Sequence, residues 1–164
     1  MRLSPGKPEM MLEHSLKNTG RHTIQSTVYN HNFLVLDKQP PGPDFSISVP
    51  FHILPMQPPD QRFARIQENQ IVFTKVLEND EVVEIPFQGF GAASKDYDIS
   101  IENRKVGAGM RIRGDRPLSF VNFWSMRKVL AMEPFIAMTI APGSEFTWNI
   151  HYEYYTLPLT ASPE

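Results

Sequence analysis

The stretch Phe45-Ser46-Ile47-Ser48-Val49-Pro50-Phe51-His52-Ile53 alternates large apolar residues with small or polar ones along its whole length. A period of two places every apolar side chain on one face of an extended chain, so the stretch reads as a half-buried β-strand. Upstream the same period continues. Ile24, Ser26 and Val28, then Leu34 and Leu36, share one face, and Thr23, Gln25, Thr27, Tyr29, His31, Phe33 and Val35 share the other. Downstream, strands are expected at 70–77, 81–87, 96–104, 109–113, 118–126, 132–140 and 145–156, with a further one at 10–17. No segment carries a helical period. About ten strands without crossover helices predict an all-β, antiparallel β-sandwich, a single domain over 1–164 with 158–164 as a tail.

The punctuation supports this, with 15 Pro and 9 Gly spread along the chain. Asn18-Thr19-Gly20 is expected to close a short hairpin loop between the first two strands, with Gly20 able to take positive φ. Pro142-Gly143 has the residues that a type II turn wants at its two central positions. Gln39 to Pro43 and Pro55 to Pro59 read as surface loops, because proline cannot donate to a central ladder.

Composition excludes several functions. Sixteen Lys+Arg stand against 18 Asp+Glu in 164 residues, a formal charge of −2, so the basic excess that a nucleic-acid partner needs is missing. No run approaches the roughly 18 apolar residues of a membrane span, and no basic amphipathic helix exists, so no membrane partner is expected. Zero cysteines remove disulfides, thiolate metal sites and a cysteine nucleophile. The opening MRLSPGKPEM lacks an apolar signal core, and a cytoplasmic location is expected. The five histidines, His14, His22, His31, His52 and His151, show no local ligand spacing, so neither a metal nor another cofactor is expected. Arg111, Arg113 and Arg116 read as one polar strand face, and Trp148 to Tyr155 as a core strand.

Two stretches carry chemistry. Tyr29-Asn30-His31-Asn32-Phe33 sets an imidazole and two amides within a strand, which is costly unless those groups find partners or a ligand. His31 shares a face with Tyr29 and Phe33, while Asn30 and Asn32 point the other way. The competing account is a satisfied polar knot at a strand end. Glu133 is a lone carboxylate in the apolar run 129–140, and Pro134 after it predicts an edge or bulge there that would turn the carboxylate into a cleft. The competing account is an exposed strand-end glutamate.

At these stretches the chain resembles the aldose 1-epimerase (galactose mutarotase-like) family. Thr27 to Phe33 is similar to the family's Asn-His-aromatic strand. Ala131-Met132-Glu133-Pro134-Phe135, then Ala141-Pro142-Gly143-Ser144-Glu145 and the aromatic strand Trp148 to Tyr155, resembles its C-terminal segment. The resemblance spans roughly residues 8 to 157 but only the C-terminal half of such proteins. It implies a β-supersandwich, truncated at its N-terminus, whose sugar site would have His31 as general acid and Glu133 as general base. Asn30, Tyr29, Phe33 and Trp124 would contact a small-molecule aldose. Opening a hemiacetal ring needs the ring oxygen protonated while the anomeric hydroxyl loses its proton, and closure on the other face reverses both steps. Two side chains can do this, each contributing about 10²–10⁴-fold. The expected function is α/β anomer interconversion, and the alternative is a non-catalytic carbohydrate-binding fragment. The family's sugar-contacting Arg and second active-site His have no counterpart, and Phe33-Leu34-Val35-Leu36-Asp37 replaces the usual continuation after Asn-His. Self-association or a separate N-terminal half is expected to complete the sheets.

Overall fold

β-Branched and aromatic residues at alternate positions, interrupted by turn formers, divide the chain into many short strands. The computed structural model describes residues 1–158, so most of the tail expected at 158–164 lies outside the described residues. The strands are β1 (Arg2–Leu3), β2 (Glu9–Lys17), β3 (Ile24–Tyr29), β4 (Asn32–Leu34), β5 (Phe45–Ser48), β6 (Leu54–Pro55) and β7 (Ala64–Gln67). They continue as β8 (Gln70–Phe73), β9 (Val82–Gln88), β10 (Asp98–Asn103), β11 (Ala108–Gly114), β12 (Phe120–Met126), β13 (Val129–Ile140) and β14 (Glu145–Thr156). The described residues contain no α-helix and one 3-10 turn, Ser94–Asp96.

All pairings are antiparallel. The first sheet has the order β1-β2-β14-β11-β10-β5-β8-β7, and the second has β3-β13-β12-β9-β6 with β4 also on β13. The core lies between them. Ile99, Ile101, Ile112 and Ile150 from the first sheet meet Ile85, Phe87, Phe123, Leu130 and Met132 from the second, all 2% exposed or less. Full burial of each such side chain contributes about 1.5–3 kcal/mol.

Several local expectations are corrected. The alternation from Phe45 to Ile53 holds in burial, but the ladder ends at Ser48. Beyond it, the Val49 and Ile53 amides donate to the carbonyls of Asn69 and Glu68 in the β7–β8 turn. Asn18 to Gly20 does not close a hairpin, because β2 and β3 belong to different sheets, and Gly20 is not at positive φ. Instead buried Asn18 staples a corner. Its Nδ2 donates to the carbonyls of His22 and Ile140, each at 2.8 Å, and its Oδ1 accepts from the Gly20 amide. The facing turn at Pro142-Gly143 has the expected form, with Gly143 at φ 78° and Ser144 N–H donating to Ala141.

Pro134 is not at an edge. It sits inside β13, between β12 on one side and the β3/β4 chain on the other. The Phe135 carbonyl accepts from Ser119 toward β12, so the Pro134 nitrogen one residue earlier faces the β3/β4 side. There the ladder is interrupted. β3 and β4 keep one continuous register on β13, and the gap between them is Asn30-His31. A proline without an N–H therefore costs no pairing where the neighbouring strand has none to offer. Phe33 N–H turns back to the His31 carbonyl at 2.9 Å, a three-residue turn that fixes the break.

Candidate active site

The common register of β3 and β4 puts His31 opposite Glu133, and Glu133 in turn pairs with Asn122 of β12. Side chains in one row across a sheet share a face, so all three project from the outer face of the second sheet, away from the core. His31 Nε2 lies 3.0 Å from Glu133 Oε1. Asn122 Nδ2 donates to Glu133 Oε2 at 3.1 Å. A carboxylate can only accept, so the proton of the first contact resides on His31 Nε2.

Aromatic rings border the pair, burying Glu133 and leaving His31 partly exposed. The His31 imidazole stacks on Phe33 with centroids 3.9 Å apart, and the Trp124 indole stands edge-on to both at 6.2 and 6.0 Å. Tyr29 lies tilted against His31 at 6.0 Å and stacks on Phe135 at 4.1 Å, and Phe120 meets Phe135 edge-on. Glu133 is consequently 8% exposed although it faces outward, while Tyr29 and Phe33 remain 40% and 61% exposed. Exposed aromatic faces bordering a buried carboxylate and its half-exposed histidine form a surface on which an apolar ring face can stack.

The structure thus brings together five of the six residues named from sequence: His31, Glu133, Tyr29, Phe33 and Trp124. Asn30 stands apart from Glu133: it lines a cleft of about 400 Å³ between the sheets together with Met10, Asn32, Met110 and Tyr152, and His31 and Phe33 border that cleft as well. Within that cleft the Tyr152 hydroxyl donates to Asn32 Oδ1 at 2.6 Å, and Asn32 Nδ2 donates to the Met132 carbonyl. Burial first of all pushes the Tyr152 hydroxyl up to about 12. Both asparagines therefore belong to the polar knot that supports the strand break from behind.

Asn122 was not identified from sequence. A lone amide inside Phe120-Val121-Asn122-Phe123-Trp124 is the available signal, and its buried Oδ1 has no partner while its other end holds Glu133. Among the described residues no cluster of three or more His, Asp or Glu side chains could hold a metal ion, and no helix is long and apolar enough to cross a membrane.

No family model matches the chain, and the search of curated proteins found no match. Solved structures do match. A candidate aldose 1-epimerase from Klebsiella pneumoniae is similar with a TM-score of 0.67 at 14% identity, covering 93% of this chain and 44% of that one. A galactose mutarotase related enzyme from Lactobacillus acidophilus is similar with a TM-score of 0.64 at 16% identity, covering 94% and 60%. The fold is the galactose mutarotase-like β-sandwich. A TPR-domain containing protein from Parabacteroides distasonis shares this mutarotase-like sandwich with a TM-score of 0.60 at 11% identity, covering 98% and 31%. The fold thus occurs in proteins of different description, and function has to be argued from the site. The chain spans between about a third and three fifths of the length of these solved chains.

Proposed function

We propose that the chain binds an aldose on the outer face of its second sheet and interconverts the sugar's α and β anomers. His31 Nε2–H is the proton donor to the ring oxygen, and the Glu133 carboxylate takes the anomeric hydroxyl's proton. The observation that carries this reading is the direct 3.0 Å contact of the two groups on one face, ringed by half-exposed aromatics. A pyranose seated on Phe33 and Tyr29 would part the pair, replacing one His–Glu hydrogen bond with two to the sugar. Because O5 and O1 share the anomeric carbon, two groups already in contact need only a small separation to reach both. Asn122 keeps the Glu133 carboxylate turned toward that position. A second polypeptide, either another copy or a separate N-terminal half, would cover the remaining sugar edge.

Non-catalytic carbohydrate binding is the second reading, favoured by the chain's share of its neighbours' length. Polarimetry on freshly dissolved α-glucose and α-galactose separates the two. The enzyme reading expects mutarotation faster than buffer, lost in His31→Ala and in Glu133→Ala with the fold retained. Buffer-equal rates with a sugar-dependent Trp fluorescence change leave the binder, and neither signal overturns both readings.

A further inference from the structure

Among the described residues, seven of the sixteen Lys and Arg side chains pair with carboxylates within 4.0 Å. Three that do not, Lys38, Arg127 and Lys128, converge with Val35 and Pro40 on one pocket of about 390 Å³. The pocket adjoins the His31–Glu133 site. Val35 is two residues beyond Phe33 on the same chain, and Arg127-Lys128 forms the β12–β13 turn just past Trp124. Phe33 and Trp124, themselves in edge contact, therefore stand between the acid–base pair and the three cations. Four residue steps separate His31 from Val35, at most about 13 Å at 3.3 Å per residue and less because the chain turns between His31 and Phe33, and lysine and arginine side chains shorten that span from the far side.

The backbone presents one of these cations at a cost. Asp37 and Lys38 both lie at positive φ, 44° and 59°, in a tight turn closed by Gln39 N–H on the Leu36 carbonyl. Non-glycine residues in that region are disfavoured, and two in succession persist only where surrounding structure enforces them. This hydrogen-bonded turn holds Lys38 at the mouth of the pocket that Arg127 and Lys128 also line; all three are exposed, and Val35 and Pro40 give them apolar walls.

The geometry points to an anion subsite: Lys38, Arg127 and Lys128 bind a phosphate or carboxylate carried by the sugar whose anomeric end lies over His31 and Glu133. This rests on the sugar reading above. The ligand class becomes an aldose with an acidic substituent remote from the anomeric carbon, for which arginine supplies a planar fork and lysine a point charge.

The test is titration of the intact chain with glucose, glucose 6-phosphate, glucuronate and inorganic phosphate, followed by Trp fluorescence and ligand-observed NMR at low salt. Three exposed charge contacts predict roughly tenfold tighter binding of an anionic sugar than of glucose, shrinking as salt is added. Glucose 6-phosphate ahead of glucuronate assigns a phosphate, and the reverse order assigns a carboxylate. In the Lys38→Gln/Arg127→Gln/Lys128→Gln variant the affinities for anionic and neutral sugar should converge. Equal affinities in the wild type, or a preference that survives the triple variant, overturn the inference while leaving the sugar reading in place. Inorganic phosphate bound by the wild type and not by the variant, with no sugar bound, keeps the cationic pocket and overturns the sugar reading on which the inference rests.

Discussion

His31 and Glu133 meet at 3.0 Å on the outer face of the second sheet, and His151 and Glu9 meet at 3.2 Å on the outer face of the first. The two pairs have the same chemistry and nearly the same length, yet their surroundings differ. Around His151 the neighbours are charges and hydroxyls: Arg113 contacts its Nδ1 at 3.1 Å, Glu153 pairs with Arg113, and Ser4 and Lys7 reach Glu9. Around His31 the neighbours are Phe33, Trp124, Tyr29 and one amide, Asn122. Each member of the first-sheet pair is already balanced by other polar groups, so a ligand gains little by displacing them. The second-sheet pair has only itself and Asn122 inside an aromatic rim, and a sugar hydroxyl can replace its single internal contact without a competing charge.

Substituting the two carboxylates separately gives the largest expected contrast. Glu133→Gln keeps shape and removes the proton acceptor, so any catalysed anomerisation should fall by about 10²–10⁴-fold, whereas Glu9→Gln should leave the rate unchanged. NMR exchange between anomer signals measures both. Equal losses would mean that the aromatic enclosure does not distinguish the pairs.

Removing the supporting donor is the next test. Asn122→Ala leaves a buried carboxylate oxygen without its partner and should cost about 1–3 kcal/mol of stability. Arg113→Ala removes a half-exposed contact to His151 and should cost under about 1 kcal/mol, less at high salt. Urea denaturation of the two variants reads the difference, and indistinguishable midpoints would contradict the burial argument.

These contrasts also mark what could be read from the chain alone. Alternation placed His31, Tyr29 and Phe33 on one face because the side-chain period of a strand is local. The meeting of His31 with Glu133 depends on a register between residues a hundred positions apart, and only the family resemblance suggested it. Asn122 stayed hidden because its role arises one strand further across the same row. Asn18 misled for a related reason: a short polar loop looks the same whether it closes a hairpin or crosses between sheets, and its true partners, Ile140 and Ser144, are remote in sequence. Pro134 suggested an edge because the break in the neighbouring strand at Asn30-His31, which makes an interior proline tolerable, is a tertiary fact.

The smallest expected effect is a pH dependence from Glu9 of the first-sheet pair. The hydrogen bond from Ser4, then those from His151 and the charge of Lys7, hold the Glu9 carboxyl below its ordinary value of 4.5. A carboxyl depressed in the folded state contributes stability above its ordinary value, and that contribution disappears as the pH falls through the folded value, when the folded protein takes up the same proton as the unfolded chain. Glu9→Gln mimics the protonated form at every pH. The denaturation midpoints of wild type and Glu9→Gln should therefore differ near about pH 7 and converge as the pH drops below 4.5. Because Glu9 is partly exposed, added salt should narrow the gap at neutral pH as well. A gap that persists unchanged into acid would mean that the Glu9→Gln substitution disturbs packing instead of charge, and the contrast between a pair set among charges and one set among aromatic rings would lose its electrostatic basis.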